Sequence, residues 1–259
     1  MTLVLALLGI LLGGCLMGSF FIHPEPGKPL DAARLMGEPW FLIGSAAISQ
    51  VALLLAVWKL PGAFQDVGAA GWRERVQWRP ERFHLVELLV TALGTMAVGA
   101  VALTLLTWAG IKGGILTGMS SVARDTGPSG FAWLLLFGAV APGFAEELAF
   151  RGLLQSRLIE RWGAPAGIVL SAAVFGAYHF DPRQGLMAFT MGLWLGWCAH
   201  RQRSIVNVAF AHAFNNAFAF SMSRLASSDE ARHPAVTVGA VLISVACLAV
   251  MWRRTRTPA

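Results

Sequence analysis

Long apolar stretches separated by short polar interruptions recur along the chain, at about residues 2–22, 39–58, 86–109, 131–154, 165–180, 184–200, 204–222 and 235–252. A helix needs about 20 mainly apolar residues to cross the hydrocarbon core of a bilayer. In lipid, only helices and closed barrels satisfy their own backbone groups. The pattern predicts an all-α fold, a polytopic membrane helical bundle of about eight transmembrane helices, although crowding over 180–204 also allows seven. Trp40, Trp58, Trp108, Trp133, Trp162 and Trp252 stand near the expected helix ends, as an interfacial aromatic belt would. No internal repeat is evident, and residues 1–259 read as a single integral-membrane domain.

Two connections are long. Residues 59–85 combine Pro61-Gly62, Trp72 and Trp78 with Lys59, Arg73, Arg75, Arg79 and Arg82. That mixture suits a segment lying along the headgroups, or an ordinary solvated loop. Residues 110–130, rich in Gly and Ser, read as a flexible connection. No Lys or Arg precedes the first apolar stretch, which therefore reads as an uncleaved helix and not a secretory signal.

Composition supports the membrane reading: 56% of the residues are hydrophobic and 13% charged, against about 25% charged in a soluble domain. The net charge of +6 would suggest nucleic acid in a soluble protein. Here Lys- and Arg-rich cytoplasmic loops beside anionic lipid explain it better, and no nucleic-acid partner is expected. With eight spans, Lys and Arg are in excess on the side shared by both termini. That predicts cytoplasmic termini for a multi-pass protein of the cell membrane. Cys15, Cys198 and Cys247 lie scattered in apolar runs, without metal-ligand spacing.

Against this background, residues 146–151 read Glu-Glu-Leu-Ala-Phe-Arg. Each charge there costs a few kcal/mol of desolvation, so its retention suggests use. Glu147 and Arg151, four apart, share a helix face and can pair, while Glu146 points about 100° away. Pro142-Gly143 just upstream would kink the helix. His179 ends the next apolar stretch, and the midpoint between 146 and 179 falls at Trp162-Gly163, the one plausible turn. Residues equidistant from such a turn lie at the same depth, so Glu146 and His179 can face each other. His212 and Asn216 stack on one face of a later span.

Each group also has a plainer reading: charges marking a helix end, a hydrogen-bonded packing histidine, or His and Asn joining helices. Asn215 points elsewhere, Asn207 reads as packing, and Gly192 with Gly196 reads as a close-packing helix face. His23, His84, His200 and His233 read as solvated or interfacial.

Together the groups suit hydrolysis of an amide within the membrane. A poorly solvated carboxylate holds a proton more readily, which suits a general base near neutral pH. Glu146 and His179 could hold and deprotonate a water. His212 and Asn216 could donate hydrogen bonds to the developing oxyanion, with Glu147 and Arg151 orienting the helix and balancing charge. Other hydrolytic designs lack their residues: there is no His-Glu-x-x-His pair, no Asp in the expected spans and no Gly-x-Ser-Gly setting.

These elements, in this order, resemble the CPBP family of intramembrane proteases, which includes the CAAX prenyl endopeptidases and bacteriocin-processing or immunity proteins. Its Glu-Glu-x-x-x-Arg motif matches Glu146, Glu147 and Arg151, its Phe-x-x-x-His motif Phe175 and His179, and its His-x-x-x-Asn/Asp motif His212 and Asn216. The resemblance covers residues 142–220 and implies a catalytic core over about 131–222. It implies an intramembrane endopeptidase cutting near the membrane-associated C-terminal end of a membrane-anchored or lipid-modified protein or peptide. Glu146 and His179 would activate water, and His212 and Asn216 would bind the oxyanion, supported by Glu147, Arg151 and Phe175.

The family is described both as metalloprotease and as glutamate-type without metal. A polarised water needs no metal, so no cofactor is favoured, although Glu146, His179 and His212 could ligate zinc. A C-terminal membrane tag or a peptide precursor is preferred as substrate over a prenylated tail. The competing classes are a proton-coupled transporter and a non-catalytic immunity or scaffold protein. Paired broken helices, which would favour the transporter, are not evident, and a scaffold gains little from four buried polar groups.

Overall fold

The fold is that of a computed structural model, which describes residues 38–59, 69–111, 115–225 and 234–254. These form helices α1 (Pro39–Lys59), α2 (Ala69–Arg75), α3 (Leu85–Trp108), α4 (Ile115–Asp125), α5 (Pro128–Leu135), α6 (Ala141–Glu146), α7 (Ser156–Ala177), α8 (Pro182–Gln202), α9 (Val206–Leu225) and α10 (Pro234–Arg254). No strand occurs among the described residues, and the architecture is an all-α membrane bundle. Two π-helical stretches, Leu136–Val140 and Glu147–Gln155, join α5, α6 and α7 into one run. Pro142, expected to kink the chain, stands in the first turn of α6 directly after the first π stretch. Its missing N–H therefore falls where the hydrogen-bond register is already changing.

About eight spans were expected; among the described residues, three helices are long and apolar enough to cross a membrane, Leu85–Trp108, Pro128–Ala177 and Val236–Arg254. Pro39–Leu55 is a shorter apolar helix. The stretch at 2–22 lies outside the described residues. Those at 131–154 and 165–180 belong to one helical run that breaks at Gly163, where φ is +80° and ψ 167°. That backbone conformation is open essentially to glycine alone. Helices α8 and α9 coincide with the stretches at 184–200 and 204–222 but bury Gln202, Asn207 and His212. Polar residues facing protein lower a helix's hydropathy without exposing it to lipid.

The break at Gly163 makes a hairpin. Across it, Ser171 Oγ donates to the Phe150 carbonyl (2.9 Å), and the Phe150 ring lies 5.0 Å from Phe175 and 5.3 Å from Tyr178. Helix α8 packs along α7 through small residues: a Cβ at Gly192 would come 3.1 Å from Ala172, and Gly196 lies against Gln155, whose Nε2 donates to the Gly196 carbonyl (2.9 Å). Helix α3 is fastened from the other side. Trp194 lies against Gly94 and donates to the Thr91 carbonyl (3.1 Å), while Gln202 bridges Thr91 (2.9 Å) and Asn207 (3.1 Å).

The described residues of both long connections carry more structure than expected. Within 59–85, Val76 is fully buried and touches Gly152 so closely that a Cβ there would meet the Val76 carbonyl at 2.7 Å. Trp72 and Trp78 pack against the buried cluster of Val57, Val76 and Leu153. The described part of the segment thus docks on the bundle through Val76, while Arg73, Glu74, Pro80, Glu81, Phe83 and His84 stay exposed. Within 110–130, α4 buries Val122 and Ala123 against Leu134 and Phe220. Arg224 NH1 donates to the carbonyls of Ala123 (3.1 Å) and Thr126 (2.9 Å), satisfying the C-terminal end of α4. Its Gly and Ser content conceals this apolar face.

Candidate active site

Three buried charges lie where α6 passes into the second π stretch. Glu146 is 5% exposed, while Glu147 and Arg151 are fully enclosed. Arg151 NH1 donates to Glu147 Oε1 at 2.8 Å, and its guanidinium lies 4.3 Å over the Phe175 ring. A cation over an aromatic face in an enclosed site is attracted by the ring's quadrupole. Phe175 therefore joins the charge cluster to both histidines, its ring 5.0 Å from His179 and 6.0 Å from His212, edge-on to each.

Glu147 Oε1 also receives His212 Nδ1 at 2.8 Å. An acceptor shared with a guanidinium is a carboxylate, so Nδ1 carries the proton and Nε2 is the nitrogen left for other work. That Nε2 lies 3.9 Å from Glu146 Oε2. The gap is too wide for a hydrogen bond and narrow enough for one water to touch both groups. Helix α9 comes this close because position 143 is glycine: a Cβ there would meet the Ala213 backbone nitrogen at 2.6 Å.

His179 lies just beyond the end of α7, with Nδ1 2.8 Å from the Phe175 carbonyl. A carbonyl only accepts, so the proton is on Nδ1 and Nε2 is free. Among the described residues, no hydrogen bond or ion pair joins His179 to Glu146 directly, although Glu146, His212 and Arg151 are all near enough to act on it electrostatically. Asn216 lies one turn beyond His212, partly buried, and accepts a long 3.4 Å contact from Asn215. The geometry thus gathers Glu146, Glu147, Arg151, Phe175, His179 and His212 into one cluster; among the described residues Asn216 makes no hydrogen bond to any of them.

Sequence reasoning missed two relationships. Glu147 is the direct partner of His212, and Gln50 of α1 donates from Nε2 to Glu146 Oε1 at 3.1 Å. The available signal for Gln50 was an amide within an apolar stretch. Around the cluster, Gln50 Oε1, Glu147 Oε2, Arg151 NH2 and the Tyr178 hydroxyl are buried without a hydrogen-bond partner. Such atoms cost about 1–3 kcal/mol each, and they leave capacity to bind water or a polar substrate group.

No group of three or more His, Cys, Asp or Glu side chains placed to hold a metal ion occurs among the described residues. Both histidines leave Nε2 uncommitted, so Glu146, His179 and His212 are the residues that would hold a metal ion if one bound.

Residues 128–218 match the family model of Rce1-like type II CAAX prenyl endopeptidases. Two curated proteins, pyochelin synthetase PchE from two strains of Pseudomonas aeruginosa, are each 36% identical over 81 residues. That stretch is 31% of this chain and 5% of theirs. The chain therefore matches only a small fraction of the length of those relatives. No solved structure matches the chain.

Proposed function

We propose that this chain, whose residues 128–218 match the Rce1-like type II CAAX prenyl endopeptidase model, uses Glu146 as the base that activates water for peptide hydrolysis inside the membrane. The observation that carries the reading is the placement of Glu146, buried, one oxygen held by Gln50 and the other 3.9 Å from His212 Nε2. In the reaction, water gives a proton to Glu146 while its oxygen attacks the carbonyl carbon, with His179 Nε2 as the second acceptor for that water. His212 and Asn216 donate to the oxyanion that develops. With Nδ1 committed to Glu147, His212 donates from Nε2 only as the doubly protonated ring. Collapse breaks the C–N bond, and the proton held by Glu146 passes to the departing nitrogen, giving a carboxylic acid and an amine, which then exchange the remaining water proton to become carboxylate and ammonium. No step needs a metal.

The substrate is a membrane-anchored or lipid-modified protein or peptide, cut near its membrane-associated C-terminal end. A C-terminal tag or peptide precursor is preferred over a prenylated tail.

Both termini are assigned to the cytoplasm of a multi-pass protein in the cell membrane. Support comes from one end of the bundle, where Ser204 bonds the Arg79 carbonyl (3.1 Å) and Arg201 the Trp252 carbonyl (3.4 Å). These contacts bring Arg79, Arg201, Arg203, Arg253 and Arg254 to the same face, as a cytoplasmic surface requires. The reading is tested by comparing the C-terminal ends of membrane proteins in cells carrying the wild-type chain and Glu146→Gln. Precursors should accumulate uncut with the variant, and identical patterns would refute the reading.

A further inference from the structure

We infer that Gln50 is a positioning residue for Glu146, an inference that rests on the proteolytic reading above. Gln50 belongs to α1, outside residues 128–218, and lies 96 positions from its partner. It is 6% exposed. A carboxylate can only accept, so the amide must present its nitrogen to Glu146, which fixes the orientation of the amide group.

The bond makes the two Glu146 oxygens unequal. Oε1 is engaged by Gln50, while Oε2 faces His212 Nε2 across 3.9 Å. Oε2 is therefore the oxygen with room to take a proton from water. Without the amide, the carboxylate would be free to turn about its last bond and present either oxygen, and small misplacements of a reacting group are expensive in rate.

Two features separate Gln50 from a glutamine that merely joins helices. Its Oε1 is buried and unpartnered, as is the hydroxyl of Tyr178, which packs in one cluster with Ala145, the residue before Glu146. An acceptor and a donor, both unsatisfied, thus accompany the carboxylate; a purely structural amide would have both ends bonded. Helix α1 also packs on the first π stretch, α6 and the second π stretch. The seating of α1 therefore sets the geometry of the carboxylate at their junction.

The test compares wild type, Gln50→Met and Glu146→Gln, reconstituted in phospholipid vesicles. The probe is the membrane-protein precursor that accumulates most in Glu146→Gln cells. Gln50→Met keeps length and volume but removes both polar atoms. It should lower kcat about 10- to 10²-fold, with KM within about twofold and unfolding temperature close to wild type. A structural role would instead lower the unfolding temperature and leave kcat per folded molecule unchanged. That result, or wild-type kcat in Gln50→Met beside an inactive Glu146→Gln, overturns the inference and leaves the proposed function standing. If Glu146→Gln cells accumulate no precursor, the proposed function falls and this inference with it.

Discussion

His212 Nδ1 lies 2.8 Å from Glu147 Oε1, the same oxygen that Arg151 reaches at 2.8 Å. One carboxylate therefore orients a histidine from α9 and neutralises a guanidinium from its own helix, both out of contact with water. Removing it leaves Arg151 as an uncompensated buried charge. Glu147→Ala should destabilise the protein by about 3–5 kcal/mol. Glu147→Gln, which keeps an acceptor for both neighbours, should cost less. Thermal unfolding of the purified variants in detergent checks the order; equal stability of both with wild type would contradict the pairing.

Asn216 is assigned to the oxyanion by its position one turn beyond His212. Asn216→Ala should lower kcat about 10²–10³-fold if it donates to the transition state. An unchanged rate would make it a packing residue, in line with its bond to Asn215.

Gly143 lets α9 approach α6. Its missing side chain would meet the Ala213 backbone at 2.6 Å, next to His212. Gly143→Ala should force the helices apart, cost about 1–3 kcal/mol of stability, and reduce cleavage by widening the gap between Glu146 and His212. Cleavage at the wild-type rate would show that this separation is not critical.

The proposed mechanism routes no step through a metal. Activity should therefore survive prolonged dialysis against a strong chelator. Loss of activity that returned on adding zinc would place a metal in the mechanism.

Much of the bundle was legible because its determinants are local. Apolar runs marked α3, α8, α9 and α10, and the Glu146–His179 midpoint fell on Gly163, whose positive φ breaks the helical run. The candidate site residues could be picked out because charges and imidazoles are costly against an apolar background. What stayed hidden depends on distant pairing. Nothing near Gln50 indicates that it meets Glu146, and helical spacing links Glu147 to Arg151 without revealing His212. Helix α4 was concealed because Gly and Ser mask its apolar face, while Val76 is held by Gly152, a contact no local pattern records.

Glu146 as the base makes one demand that no supporting role would share: loss of its ionisable oxygen must stop the chemistry while the fold remains. The direct measurement is single-turnover cleavage of a purified precursor by wild type and Glu146→Gln, at matched folded concentration in vesicles. The expected result is no detectable product from Glu146→Gln, with wild-type unfolding temperature. Product formation at the wild-type rate by folded Glu146→Gln would contradict the assignment.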